Sequence, residues 1–172
     1  MFGLKEIAER VALVLPGAKG VDHGRLFSKI LLDGGMAVRL AVKRDRIEVS
    51  GWYPAGYTPK GGPAISVSAS RSPEEVAKEI LRRFMDAYIR EYRQAVERKV
   101  SDEEFAMGVE ETARRLAGVL GARWEPNRDS RTVVLDNPWG GFVVFSVRSP
   151  GEVKVEAWLS VNEAELVAKL LK

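Results

Sequence analysis

Groups able to do chemistry on their own are scarce in this chain. His23 is the single histidine among 172 residues, and cysteine is absent. One imidazole builds no histidine metal cluster, and without thiols there is neither a disulfide framework nor a thiolate ligand or nucleophile. The stretch around it, "GAKGVDHG", is glycine-rich but lacks the closing Gly-Lys-Ser/Thr and the preceding strand that a phosphate cradle requires. His23 is therefore expected in a loop with no acid or base role. The chain reads as non-catalytic, with no cofactor and no metal.

Binding chemistry is better supplied. Two Gly- and Pro-rich stretches, "GWYPAGYTPKGG" and "DNPWGG", carry Trp52, Tyr53, Tyr57 and Trp139. Aromatic side chains in such loops offer contact area with few rotatable bonds, which suits them to anchor a protein partner. The alternative is that Pro54, Pro59 and Pro138 stiffen ordinary turns and the rings fold back onto the core. A second set, Arg39, Lys43, Arg46, Arg148 and Lys154 beside Trp52 and Trp158, combines cations with stacking surface, the chemistry of single-stranded nucleic-acid binding. Glu48, Glu152 and Glu156 fall among them and would repel phosphates. A formal net charge of +3 implies a polyanionic partner only if the positive groups are segregated.

These residues are positioned by elements that the sequence punctuates clearly. "SPEE" places Ser72 at an N-cap, Pro73 at the first helical position and Glu75 as the reciprocal acceptor of a capping box. "SDEE" from Ser101 and "NEAE" from Asn162 predict two further helix starts. From Ser72 the apolar positions Val76, Ile80, Phe84, Tyr88, Tyr92 and Val96 recur every four residues, predicting a helix of about seven turns. On its polar side Arg82, Arg83, Arg90, Arg93, Arg98 and Lys99 interleave with Glu79, Asp86, Glu91 and Glu97, the spacing of a ladder of ion pairs. A further stripe runs through Phe105, Val109, Ala113, Leu116 and Leu120, stopped by Gly121. A short N-terminal helix through Leu4, Ile7, Val11, Val14 and Leu15 ends at Pro16 and Gly17.

Between the helices, alternation predicts hairpins. If "KRDR" closes on a two-residue turn at Arg44 and Asp45, Lys43 faces Arg46, Val42 faces Ile47, Leu40 faces Val49 and Ala37 faces Trp52. If "RSPGE" closes on three residues with Gly151 at a positive backbone angle, Arg148 faces Glu152, Val147 faces Val153 and Phe142 faces Trp158. One sheet side then collects Val38, Leu40, Val42, Ile47 and Val49, and its counterpart Val143, Phe145, Val147, Val153 and Val155, as core. The other side collects the charged residues and both tryptophans, whose rings either pack over Ala37 and Phe142 or stand open as a platform. "RLFSKILLD" and "RTVVLDN" lead into these hairpins, and "ISVSAS" follows the first as a short extra strand.

The two halves echo one another. "EIAERVALVL" from Glu6 and "ETARRLAGVL" from Glu111 share Glu, Ala, Arg, Ala, Val and Leu at positions 105 apart, as are Val38 and Val143. Past the hairpin turn the interval becomes 106, pairing Trp52 with Trp158. The expectation is an α+β fold of two internally duplicated helix-strand-strand-strand-helix units, residues 1–100 and 101–172. An antiparallel sheet with helices on one side and a pseudo-twofold axis should result.

Composition, 45% hydrophobic and 30% charged, suits a folded core. No run has the length of a membrane span and the first residues lack a signal-peptide pattern, so a cytoplasmic location without a membrane partner is expected. A single Gln and three Asn give the composition a thermophilic cast. Open sheet edges or the long helical stripe leave room for a homodimer.

Two family resemblances follow from particular residues. Asp136 with Glu152 and Lys154 in "EVK", framed by a helix, three strands and a helix, resembles the acidic pair and lysine of the PD-(D/E)xK nucleases. That resemblance implies divalent-metal binding and water activation at those residues, although Asp136 ends the first strand rather than entering the second. "ISVSASRSPEEVAKEILRRFMDAYIREY", about a sixth of the chain, resembles a segment of small uncharacterised phage and plasmid proteins. It implies an accessory or inhibitory factor of a mobile element, with no activity attached.

Overall fold

The computed structural model describes residues 3–124, 132–136 and 142–170. The chain divides into two compact units, residues 1–100 and 101–172. Both are built of helices and antiparallel sheet, an α+β architecture.

In the first unit α1, Leu4–Val14, turns Ile7, Ala8 and Val11 inward and stops before Pro16, where Gly17 takes a φ of +74°. Five strands follow in a meander: β1 Ala18–His23, β2 Ser28–Leu32, β3 Ala37–Lys43, β4 Arg46–Trp52 and β5 Ala64–Ser68, paired in the order β1-β2-β3-β4-β5. The expected register of β3 on β4 holds throughout, from Lys43 against Arg46 to Ala37 against Trp52. Its turn takes Arg44 to a φ of +59°, a left-handed conformation that a β-carbon disfavours.

The capping box at Ser72 forms as read: the Ser72 hydroxyl accepts from the Glu75 N–H, and the Glu75 carboxylate accepts from the Ser72 N–H at 2.9 Å. The helix that follows is not uniform. α2, Pro73–Ile80, passes through a π-helical turn at Leu81–Met85 into α3, Asp86–Leu120. A stripe spaced every four residues drifts about 40° per step around an ideal helix of 3.6 residues per turn. One wider turn resets the drift, so Val76, Ile80, Phe84 and Tyr88 all remain fully buried.

Behind the sheet, these side chains and α1 pack on Ile30, Val38, Leu40, Ile47, Val49 and Val67. Gly51 makes the closest approach possible. A β-carbon there would lie 2.4 Å from the Tyr88 ring, so only glycine lets that ring lie against β4. The Tyr88 hydroxyl accepts from the Ala37 N–H at 3.0 Å and has the Ala37 and Trp52 carbonyls at 2.9 and 2.8 Å to donate to. It thereby closes the end of the β3–β4 ladder, and burial pushes its pKa up.

The second unit takes α3 from Ser101 onward, then β6 Arg123–Trp124, β7 Thr132–Asp136, β8 Phe142–Ser149, β9 Glu152–Trp158 and α4 Val161–Leu170, with sheet order β6-β7-β8-β9. Its core joins Val109, Ala113 and Ala117 of the helix to Val133 and Val147. Gly108 lets the β8–β9 turn approach, since a β-carbon would meet Pro150 Cγ at 2.9 Å, and Thr112 Oγ1 lies 3.0 Å from the Pro150 carbonyl.

Several expectations are corrected. Each unit has a strand more than read before its hairpin: β1 and β6 went unseen because "AKGVDH" carries Gly and Asp, and because only two residues of β6 pair. "SDEE" starts no helix. Ser101 lies inside α3, where no glycine or proline occurs from Asp86 to Met107 and local capping preference yields to an already propagating helix. At α4 the cap is Ser160, two residues before Asn162, with its N–H and hydroxyl on the Glu163 carboxylate at 2.8 and 2.7 Å.

Phe142 faces Trp158 and Val147 faces Val153 as expected, but Ser149, not Arg148, faces Glu152. The additional residue of this hairpin is absorbed as a bulge at Arg148, and Gly151 needs no positive φ. Val42, Val153 and Val155, assigned to the core, are 45%, 37% and 55% exposed. Alternation told which side they occupy; it could not tell that no described element covers them.

Candidate functional site

The outer side of the first sheet can be followed strand by strand. One row across it runs Asp22, Lys29, Arg39, Ser50 and Ala64, each opposite the next. Lys29 is held by Asp22 at 2.7 Å. Arg39, directly opposite Lys29, has no carboxylate partner among the described residues; its guanidinium carbon lies 4.8 Å from the centroid of the Phe27 ring. The other cations of this side are engaged: Lys43 pairs with Glu48 at 3.4 Å, and Arg46 donates to the Ser66 hydroxyl and carbonyl at 2.6 and 2.9 Å. The row therefore carries one uncompensated positive charge, at half-buried Arg39.

Trp52 stands at the end of this row's side of the sheet, against Lys29. Lys29 Nζ lies 4.8 Å from its ring, Phe27 is 6.0 Å away centroid to centroid, and the indole remains 44% exposed. Beyond it the chain leaves β4 into two tight turns. The Tyr57 N–H bonds to the Pro54 carbonyl at 3.0 Å and the Gly62 N–H to the Pro59 carbonyl at 3.4 Å, with Gly56 and Gly61 at φ +85° and +71° in the third positions. Such turns require a residue tolerant of positive φ there, which is why both read Pro-x-Gly.

Between these turns and the outer side of β3 and β4 lies a pocket of about 390 Å³. Arg39, Ser50, Trp52, Thr58, Pro59 and Pro63 are among its walls. Among the described residues, two buried side-chain polar atoms lack a hydrogen-bond partner, Arg39 Nε and Tyr53 Oη, and both residues line this pocket.

The candidate residues fare differently. Trp52 is open in part, while the opposing Ala37 is buried. Tyr53 is not a surface anchor. It is 8% exposed, meets Tyr88 edge-on at 5.5 Å, and burial with the nearby Glu91 carboxylate raises its pKa to about 12. Tyr57 is half-buried against the same core. Trp139 lies outside the described residues.

Of the nucleic-acid set, Arg148 pairs with Glu152 at 3.8 Å and Lys154 with Glu156 at 2.6 Å, while Trp158 is 53% exposed. Helix arginines are likewise spoken for at Glu79. Arg71, Arg82 and Arg83 all reach its carboxylate, whose pKa is lowered by the bonds from Arg83 and Arg82.

The nuclease trio does not assemble. Asp136 pairs through Phe142 with Trp158, six residues along β9 from Glu152. That is about 20 Å of extended strand, whereas two carboxylates on one cation must each come within about 2.6 Å of it. No cluster of three metal-binding side chains occurs among the described residues. His23 sits in β1 rather than a loop, with Nδ1 3.0 Å from the Ser28 hydroxyl and Nε2 3.2 Å from the Glu9 carboxylate, joining α1 to the sheet.

Sequence reasoning missed Phe27 and Lys29. The signal was there: alternation through "FSKIL" puts Phe27, Lys29 and Leu31 on the side opposite Ser28 and Ile30, but faces were assigned only for the hairpin strands. No family matches the chain, and neither does any curated protein or solved structure. No described helix is long and apolar enough to cross a membrane.

Proposed function

We propose that this chain is a non-catalytic binding protein, an accessory or inhibitory factor that engages a macromolecular partner through the outer side of its first sheet and the loop of residues 53–63. The observation that carries the reading is Trp52, partly exposed yet braced by Lys29 and Phe27, lining with the uncompensated Arg39 one pocket. Held aromatic surface next to an arginine is the composition of interface residues that dominate binding energy, because little side-chain entropy remains to be lost. Lys29, Lys43, Arg148 and Lys154 are each paired with a carboxylate, which leaves fewer charges for a phosphate backbone, so nucleic acid is the weaker fit.

The test is affinity capture from cells expressing the native chain, comparing wild type with Trp52→Ala. A partner retained by wild type and weakened at least about tenfold by the variant, at an unchanged melting temperature, supports the reading. Identical retention by both removes it. Salt-sensitive retention on a single-stranded oligonucleotide would replace it with the nucleic-acid alternative.

A further inference from the structure

We infer that the pocket between the outer side of β3 and β4 and the loop of residues 53–63 is a carboxylate-binding site. In it the Arg39 guanidinium receives the carboxylate and Trp52 the apolar group beside it. The inference rests on the proposed recognition surface and names the chemistry it selects.

Four observations converge. The charge row from Asp22 to Ala64 leaves one net positive charge, and it falls on the residue that lines the pocket. Arg39 Nε is buried without a partner, so the folded chain bears an unpaired cationic donor that an incoming anion would compensate. Stacking on Phe27 holds the guanidinium in place, which preserves its planar fork for a planar two-oxygen acceptor. Finally, 390 Å³ lies within the roughly 300–1,000 Å³ typical of ligand pockets, and the indole, prolines, glycines and alanines among its walls suit a flat or short apolar group.

The anion is a carboxylate rather than a phosphate because Arg39 is the one cation lining the pocket. Lys29, the only neighbouring one in the row, is already occupied by Asp22, and the remaining polar walls Ser50, Tyr53 and Thr58 are neutral. A doubly charged phosphate would find half its charge unmatched. The chemistry could come from the terminal carboxylate of a peptide ending in an apolar residue, or from a free aryl carboxylic acid.

The experiment titrates the full chain, observed through its arginine Nε–H and indole N–H resonances, with four probes: acetyl-Gly-Ala-Phe as free acid, the same peptide as amide, phenylacetate, and phenyl phosphate. Saturable shifts at Arg39 and Trp52 with the free acid are expected, and the amide should bind at least about tenfold more weakly, the cost of losing a charge-assisted pair. Arg39→Gln should abolish the shifts, while Arg39→Lys, which keeps the charge and the fold, should retain part of the affinity. Equal binding of acid and amide, tighter binding of phenyl phosphate, undiminished binding by Arg39→Gln, or no shift with either acid would each overturn the site.

The two readings fail separately. Phenylacetate binding as tightly as the peptide acid would uphold the carboxylate site while overturning the macromolecular partner. Silence of both acids, with partner capture still dependent on Trp52, would overturn the site alone.

Discussion

The hairpins β3–β4 and β8–β9 are written in nearly the same alphabet. Each alternates β-branched or leucine side chains with charges, and each ends on a tryptophan, opposite Ala37 in one and Phe142 in the other. Yet Leu40, Ile47 and Val49 are fully buried, while Val153 and Val155 on β9 are 37% and 55% exposed. In the first unit α1 and α2 both lie on the apolar side of the sheet; in the second, the described core draws on one helical segment, through Val109, Ala113 and Ala117. The same strand pattern thus yields different burial, because hydrophobic stabilisation follows the area removed from water and not the residue type.

That contrast can be broken most directly by trimming one side chain from each sheet. Leu40→Ala should destabilise the first unit by about 3 kcal/mol, since a fully buried leucine leaves a cavity behind. Val155→Ala should cost under about 1 kcal/mol because most of its surface already faces water. Hydrogen exchange of the β3–β4 and β8–β9 amides reads each unit separately, and equal losses would show that the exposure of β9 is not real in solution.

Next in size is the ladder end that Tyr88 closes in the first unit. Tyr88→Phe keeps the packed ring but withdraws a hydroxyl from the Ala37 N–H and the Ala37 and Trp52 carbonyls. A loss of about 1–2 kcal/mol is expected, the cost of a buried group left without its partner. It should appear as faster exchange in β3 and β4, with β8 and β9 unchanged.

The smallest effect concerns the turns. Arg44 holds a φ of +59°, whereas the second hairpin accommodates its longer connection through the bulge at Arg148. Arg44→Gly should raise stability by about 0.5–1 kcal/mol, as the left-handed strain exceeds the entropy that glycine adds to the unfolded chain. Arg148→Gly should bring no such gain. A thermal melt in which both changes destabilise equally would place the two turns in one class.

What could be read from particular residues was whatever depends on nearest neighbours along the chain. Ser72, Pro73 and Glu75 specified their capping box, and the alternation from Ala37 to Trp52 specified a register that survives pair by pair, because a slip of one residue would expose every apolar side chain. Pro54 and Pro59, weighed as stiffeners of ordinary turns, each open one. By contrast, Ser101 and Asn162 misled, since a cap is worth only about 1 kcal/mol and gives way when the helix around it is supported elsewhere.

Burial and charge pairing were decided only in three dimensions. Tyr53 and Trp52 are sequence neighbours, yet successive side chains of an extended segment point to opposite sides, and the helix carrying Tyr88 and Tyr92 covers only one. Arg39 looked like one cation among several. Its lack of a carboxylate partner emerged when Asp22, seventeen residues of sequence and two strands away, proved to satisfy Lys29 instead. The sequence determines periodicity, turns and pairing because these are short-range constraints on the backbone. Which charges cancel, and which ring is left facing a pocket, depends on long-range neighbours that only folding brings together.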